Sequence, residues 1–342
     1  MIPYLIYLLF VLFFSYKGAN NKIYRFILFV LAVLFLGLRN EVGTDFEEYK
    51  RRYDYEIYSF ELGYNYLCIL LHRFKCPSSD LFLVMSFLTY LPFYLFLEKI
   101  KCKKKEFVIL SFLLYFSTFS IICNVMRQCL VGALFLYSYY FIKERNLLPF
   151  LVIVAIGVTF HTSMILCLPL YWIANRQIPT IVYNVIYIIS FVFCFISIDR
   201  ISVYILAFIG DFNQWARYME SEHSLSGYFS IGILVEIVFY IIFYVLCIRH
   251  KVHKEYPIAF NLFFLSCVFF NMKVGSIIMG RIWLLFKWYL FVVFIYLLQN
   301  RKEYGLIKLI GKLYITYLLL AFVQYALSEE SSMYPYKSVL NF

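Results

Sequence analysis

Long apolar blocks separated by short polar links dominate this sequence and limit what it can fold into. A soluble globular domain is about half apolar and a quarter charged, whereas 63% of these 342 residues are hydrophobic and 15% are charged. Each block is interpreted as one helix that crosses a hydrocarbon core, with tilt or a thinner bilayer accommodating the shorter ones. The blocks are Ile2–Tyr16, Ile23–Leu38, Leu81–Leu97, Phe107–Ile122, Val125–Ile142, Ile181–Ser197, Tyr228–Ile248, Pro257–Asn271, Met279–Leu298 and Leu306–Tyr325. They predict an all-α polytopic membrane protein with about ten spanning helices, which forms a single integral membrane domain over residues 1–342.

The positions of the basic residues predict how these helices are oriented. In a soluble chain, the formal net charge of +11 would suggest a nucleic-acid partner. Here the lysines and arginines concentrate in short links, where they mark the cytoplasmic side of a membrane. The densest link, residues 99–105, contains five lysines and is interpreted as a topology anchor. No nucleic-acid partner is therefore expected.

Two stretches are ambiguous until the basic links are placed inside. Leu62–Phe74 cannot cross without moving the lysine-rich link outside, so it is expected to be an interfacial or re-entrant helix in a first outer loop, residues 39–79. Leu147–Ala174 must cross an even number of times, and the simplest solution is a pair of half-helices that break near His161 at the outer side. The same topology predicts a second outer loop at residues 198–227 and an outer C-terminal tail at residues 328–342.

Three arginines at predicted outer helix ends are the main functional clue. Arg39 closes the second apolar block, and Arg127 and Arg281 each open a later one. A charge at such a depth indicates a functional site, and the alternative for Arg127 is a side chain that snorkels to the interface. Guanidinium groups keep their charge and offer fixed bidentate donors, so these arginines suit an anion such as pyrophosphate.

Other polar residues near the same predicted face are candidates for proton transfer or sugar binding. His161 could accept a proton near neutral pH, or could be a packing residue. Asp45 could act as a base, or could form a turn and cap the helix that follows it. Glu61 could pair with an arginine or orient a sugar hydroxyl, and Glu236 is a further carboxylate inside an apolar block.

Several motifs that carry enzymatic chemistry are missing from the sequence. It contains no Asp-x-Asp pair, no phosphate-binding P-loop, no GxSxG elbow and no HExxH motif. Nine scattered cysteines form no CxxC pair. His250 and His253 lie in a basic link, where solvated side chains are expected rather than metal ligands. Neither a cofactor nor a metal is expected.

Taken together, these residues resemble the EpsG family, the Wzy-type polymerases of bacterial exopolysaccharide, capsule and O-antigen. Their order and spacing extend over nearly the whole chain, although residues 174–279 contribute no motif. The matching residues are Arg39 with Gly43, Asp45 and Tyr49; Glu61 with Gly63 and Tyr64; Asn124 with Arg127 and Gln128; Phe160 and His161 with Ser163; Arg281 with Ile282 and Phe286; and Pro335, Tyr336 and Lys337.

The resemblance implies a fold similar to the C-type membrane glycosyltransferases and an inverting, metal-independent reaction. Such an enzyme joins oligosaccharide repeat units carried on undecaprenyl pyrophosphate, at the outer face of the bacterial cytoplasmic (inner) membrane. Expected partners are those lipid-linked glycans, membrane lipid, and the flippase and chain-length regulator of the same pathway. His161 is the candidate catalytic base, with Asp45 as the alternative. The implied substrate-binding residues are Arg39, Glu61, Arg127, Gln128, Arg281 and Tyr336.

Two alternative functions stay open at this point. An O-antigen ligase or a membrane acyltransferase would also use outer arginines and a histidine. A flippase or transporter for lipid-linked sugars would need a polar pathway across the whole membrane. The clustering of polar residues at the outer end favours the polymerase over a transporter.

Overall fold

A computed structural model describes residues 1–195, 230–299 and 304–340 of the chain. Helix makes up 79% of the structure, and the described residues contain no β-strand. An isolated antiparallel bridge joins Arg39 to Ser338. The all-α prediction is therefore confirmed.

The described helices follow the predicted apolar blocks closely. In chain order the α-helices are α1 Ile2–Gly18, α2 Lys22–Gly37, α3 Phe46–Asp54, α4 Leu62–Arg73, α5 Ser78–Lys99, α6 Lys104–Ser111, α7 Phe119–Asn124, α8 Met126–Lys143, α9 Leu147–Phe160, α10 Leu170–Ile173, α11 Thr180–Val192, α12 Ile231–Arg249, α13 Val252–Glu255, α14 Pro257–Lys273, α15 Ile277–Phe286, α16 Tyr289–Gln299 and α17 Tyr304–Leu327. A π-helical turn, Phe112–Phe116, connects α6 to α7.

Five helical segments of the described chain are long and apolar enough to cross a membrane. They are Ser78–Lys99, Lys104–Asn124, Ile231–Arg249, Ile278–Gln299 and Gly305–Leu327. Shorter apolar helices occupy other predicted blocks, such as α1, α11 and α14. The structure therefore indicates a membrane protein, and the larger number of ten spans stays a prediction.

Some serine and threonine hydroxyls inside the apolar helices bond to the backbone of their own helix. Ser86 Oγ donates to the carbonyl of Phe82 at 2.7 Å, and Thr89 Oγ1 donates to the carbonyl of Met85 at 2.8 Å. A polar group in hydrocarbon is costly unless it has such an internal partner. These hydroxyls can therefore be buried without a hydrogen-bond acceptor from a second helix.

The chain divides into two compact units. The first comprises Met1–Tyr171 and Leu298–Phe342, and the second comprises Trp172–Leu297. In the first unit, α8 packs between α5 and α9, and α2 packs against both α1 and α5. In the second unit, α14 packs against α11, α12 and α15.

Both ambiguous stretches adopt helical structure in the first unit. The predicted loop at residues 39–79 contains α3 and α4, and α4 covers most of the predicted interfacial segment. Helix α9 ends at Phe160, and a 3₁₀ helix, Thr162–Cys167, follows directly. The predicted helix break near His161 is therefore confirmed. The predicted second outer loop, residues 198–227, lies outside the described residues.

The C-terminal tail returns along the chain that follows α2. We call residues 331–340 the tail strap. The amide of Gly43 donates to the carbonyl of Ser332 at 3.1 Å, and the amide of Asn40 donates to the carbonyl of Lys337 at 2.9 Å. The side chains of Lys337 and Glu41 form an ion pair on the surface. The strap thus fixes the loop between α2 and α3.

Candidate functional site

The Arg127 side chain forms an ion pair with Glu61. Arg127 is the second residue of α8, and Glu61 is the residue directly before α4. Arg127 Nη1 contacts Glu61 Oε2, and the two side chains are 15% and 18% exposed. The second carboxylate oxygen, Oε1, accepts a hydrogen bond of 3.3 Å from the amide of Thr162. Glu61 therefore joins the starts of α4, α8 and the 3₁₀ helix.

Aromatic rings cover one face of the Arg127 guanidinium. Its central carbon lies 3.6 Å from the ring centroid of Phe60 and 5.7 Å from that of Tyr64. Burial raises the pKa of the nearby Tyr49 hydroxyl, and the charge of Arg127 opposes that shift. Arg127 Nε has no hydrogen-bond partner among the described residues. The guanidinium thus has bonding capacity beyond its contact with Glu61.

Gln128 and His161 form a second contact directly beside this pair. The amide nitrogen of Gln128 lies 3.1 Å from Nε2 of His161, and Gln128 is 5% exposed. On the other side of the ring, Nδ1 lies 2.8 Å from Ser163 Oγ and accepts a 3.3 Å hydrogen bond from the amide of Ser163. His161 therefore caps the 3₁₀ helix with its own side chain.

The cluster depends on a close approach between α4 and α9. A methyl group on Gly63 would lie 2.7 Å from Thr159 Cβ and 2.9 Å from the Thr159 carbonyl oxygen. Glycine at this position lets α4 lie against the last turn of α9. That contact places Glu61, two residues earlier, beside the break at His161.

A second glycine attaches the loop after α2 to the end of α7. Gly43 has a φ of +98°, and a Cβ there would lie 2.8 Å from the carbonyl oxygen of Cys123. The neighbouring amide of Thr44 donates to Asn124 Oδ1 at 2.9 Å. Asn124 also donates to the hydroxyl of Tyr325 on α17. These bonds hold the backbone three residues before Arg127.

Most of the sequence motifs are therefore neighbours in the first unit. A comparison with protein families explains why these motifs occur together. The model of the EpsG family matches residues 22–338. The chain belongs to the EpsG family. This is a family of Wzy-type polysaccharide polymerases, and membership implies a glycosyltransferase-like polysaccharide polymerase or a related membrane protein. No curated protein and no solved structure gives a significant match.

The EpsG-motif residue Arg39 is fully buried and has backbone partners. Its exposed fraction is 0%. Nη1 donates to the carbonyl of Leu36 at 2.7 Å, and Nε donates to the carbonyl of Val42 at 3.2 Å. Nη2 contacts Met126 Sδ at 3.5 Å, and the guanidinium lies 4.9 Å from the ring of Phe82. Arg39 therefore ties the end of α2 to the following loop.

Asp45 and Tyr336 also lie in the first unit. Asp45 directly precedes α3, but its side chain makes no capping hydrogen bond to that helix. It accepts a hydrogen bond of 3.4 Å from Thr44 Oγ1. In the tail strap, Tyr336 stacks on Phe35 with ring centroids 4.6 Å apart and donates to the Phe35 carbonyl at 2.6 Å. The substrate roles of Asp45 and Tyr336 stay predictions.

Arg281 belongs to the second unit, where it lies on α15 with an exposed side chain. The same unit contains a cation that the sequence did not single out. Lys273, the last residue of α14, pairs with Glu236 at 3.5 Å and lies 3.7 Å from the ring centroid of Trp283. A lysine at the end of one helix and a glutamate inside another were the signals available for this pair.

The two histidines of the basic link are buried, so the expectation of solvated side chains was wrong. His250 is 8% and His253 is 6% exposed. Lys251, with a φ of 56°, turns the chain so that His253 packs against the ring of Phe260 at 5.7 Å. Burial lowers the pKa of His253. In the described ranges, no three His, Cys, Asp or Glu side chains group together as metal ligands.

Proposed function

We propose that this chain polymerises oligosaccharide repeat units carried on undecaprenyl pyrophosphate, at the outer face of the bacterial cytoplasmic membrane. The observation that carries the proposal is the cluster of Arg127, Glu61, Gln128 and His161. A partly exposed guanidinium, whose Nε has no hydrogen-bond partner among the described residues, lies beside a carboxylate and an imidazole. Membership of the EpsG family supplies the reaction class.

The proposed reaction is a single displacement that inverts the anomeric centre. A hydroxyl of one lipid-linked unit attacks the first sugar of the growing chain, and the lipid pyrophosphate leaves. Arg127 binds the leaving pyrophosphate and stabilises the negative charge that develops on it. This charge stabilisation requires no metal. Arg281 stays a candidate anion ligand from the sequence, and Gln128 stays a candidate ligand for a sugar or phosphate oxygen.

His161 and Asp45 are the two general-base candidates from the sequence. His161 lies inside the cluster, which favours it over Asp45 on proximity alone. A general base must come within hydrogen-bond reach of the hydroxyl that it deprotonates.

Deletion of the gene followed by gel analysis of the cell-surface polysaccharide tests the proposal. Loss of a polymerase leaves single repeat units, and complementation with the wild-type chain restores the ladder. Long chains of unchanged length would contradict the proposal. Accumulation of lipid-linked polymer would instead indicate the ligase alternative.

The outward orientation needs its own measurement. Reporter fusions at Cys102, in the lysine-rich link, and at Ser221, in the predicted second outer loop, should report opposite sides of the membrane. Reporters on the same side would contradict the topology.

A further inference from the structure

Glu61 holds the most central position in the cluster. One carboxylate oxygen bonds to the Arg127 guanidinium, and the other accepts the amide of Thr162. The side chain of Glu61 is 18% exposed and that of Arg127 is 15% exposed, so part of each can be reached from outside the protein. An anion that bound the Arg127 guanidinium in place of Glu61 would leave Glu61 Oε1 bonded to the amide of Thr162 and Oε2 without its arginine partner.

Both ring nitrogens of His161 are engaged by protein groups. Nδ1 lies 2.8 Å from Ser163 Oγ and 3.3 Å from the amide nitrogen of Ser163. Nε2 lies 3.1 Å from the side-chain amide nitrogen of Gln128. A neutral imidazole has one lone pair on its ring nitrogens, and in either tautomer that lone pair faces one of these donors. His161 therefore cannot accept the proton of a sugar hydroxyl without losing one of these bonds.

We infer that Glu61, rather than only orienting a sugar, accepts the proton of the attacking hydroxyl after the donor has displaced it from Arg127. This inference rests on the proposed function. The diphosphate of the donor competes with Glu61 for the guanidinium, because both are anions that match its fork of donors. Donor binding therefore uncovers the base, and the base stays masked while the donor is absent.

The step balances without a further reactant. The acceptor hydroxyl oxygen forms a bond to the anomeric carbon as its proton passes to a Glu61 oxygen. The bond from that carbon to the diphosphate oxygen breaks, and its electron pair leaves with the lipid diphosphate on Arg127. Glu61 then releases the proton to water and pairs again with Arg127 when the lipid diphosphate departs.

Two measurements on the same purified full-length protein test this role. The first is calorimetric binding of inorganic pyrophosphate. The second is turnover of lipid-linked repeat units extracted from a strain that lacks the gene. The variants are Glu61→Gln, Glu61→Asp and His161→Gln, and Glu47→Gln on the exposed side of α3 is the matched control.

Glu61→Gln should change the two readouts in opposite directions. Removing the competing charge should tighten pyrophosphate binding by about threefold to tenfold. Removing the proton acceptor should lower turnover by about 100-fold or more. Glu61→Asp retains a carboxylate with a shorter reach, so its binding and turnover should fall between Glu61→Gln and the wild type. Glu47→Gln should match the wild type in both.

A Glu61→Gln protein that turns over within about threefold of the wild type would overturn the inference. So would a folded Glu61→Gln protein that binds pyrophosphate more weakly, since that result would make Glu61 a support for Arg127 rather than its competitor. If Glu61→Gln does not fold, Glu61→Asp decides by the same two criteria. Failure of the proposed function looks different: the wild type itself would then join no repeat units.

Discussion

Arg39 contacts the first residue of α8 and Arg127 is its second residue, yet the protein holds the two arginines in different ways. Arg39 is fully buried, and its nitrogens donate to the carbonyls of Leu36 and Val42. Arg127 is 15% exposed, and its Nη1 bonds to the carboxylate of Glu61. One guanidinium is bound to the backbone, and the other is bound to an exchangeable side chain.

We propose that this difference separates a structural arginine, Arg39, from a substrate-binding one, Arg127, within one family motif set. A backbone carbonyl cannot leave its helix or loop, so a guanidinium bound to two carbonyls is unavailable to a substrate. A carboxylate is an anion like the substrate, and a diphosphate can replace it on the same donors. We therefore expect losses of stability at Arg39 and losses of activity at Arg127.

The largest expected effect is on turnover, at Arg127. Arg127→Ala should lower the rate of repeat-unit joining by about 100-fold to 1,000-fold, because the charge on the leaving group loses its partner. Arg127→Lys keeps the charge without the planar fork and should retain part of the rate. Turnover of extracted lipid-linked repeats measures both variants. Wild-type turnover in Arg127→Ala would contradict the distinction between Arg39 and Arg127.

A large effect on stability is expected at Arg39. Arg39→Met fills a similar volume but leaves the carbonyls of Leu36 and Val42 without these donors. The cost should be about 2–4 kcal/mol, seen as a lower thermal unfolding midpoint in detergent. Turnover per folded molecule should change little. Arg51→Met, at a side chain that is 55% exposed, is the control and should leave the midpoint nearly unchanged.

An intermediate effect is expected where α4 meets α9. Gly63→Ala would place a methyl group 2.7 Å from Thr159 Cβ, so one helix has to shift. The cost should be about 1–3 kcal/mol, and turnover should fall as well because Glu61 moves with α4. Gly305→Ala adds a methyl group with no atom within 4 Å and serves as the control. Equal midpoints and equal turnover for the two variants would show that this contact does not position Glu61.

The smallest effect is expected at the tail strap. A hydrogen bond from Lys337, and then its charge, hold the pKa of Glu41 below its usual range. A lowered folded-state pKa means that the pair stabilises the fold above the ordinary glutamate pKa and is lost as the pH falls through the lowered value. Lys337→Ala should therefore lower the unfolding midpoint slightly near neutral pH.

The same difference should disappear in acid, once the pH has fallen below the lowered pKa of Glu41 and the carboxylate is protonated. Added salt should shrink it at neutral pH, since both side chains are exposed. The charge-reversed double variant Glu41→Lys with Lys337→Glu should recover the midpoint. A difference that persists in acid would assign the effect of Lys337→Ala to packing instead.

Hydropathy and charge placement predicted much of the fold. The apolar blocks coincide with described helices, the helix in the first loop begins at the predicted Leu62, and the break falls at His161. These features depend on local sequence, because an apolar helix satisfies its own backbone in a membrane. The number of spans also depends on tilt and bilayer thickness, which local sequence does not specify.

The partners of individual polar side chains were harder to predict. Arg39 and Arg127 have the same sequence context, a cation at the end of an apolar block. Their partners come from the Val42 turn and from Glu61, whose positions depend on tertiary contacts such as that of Gly63 with Thr159. His253 shows the same limit, because a single backbone turn at Lys251 buried a side chain expected in water.

The tail strap also affects when this site can be completed during synthesis. Lys337 bonds to Glu41 across a separation of 296 residues. At typical elongation rates, roughly 15 to 60 s pass between the synthesis of these two residues. Until the strap emerges, the loop that precedes α3 lacks the hydrogen bonds that it forms with the C-terminal tail. A nascent or truncated chain can thus insert its early helices before the loop between α2 and α3, beside the Arg127 cluster, is held by the strap. A competent site is therefore delayed until the polypeptide is nearly finished.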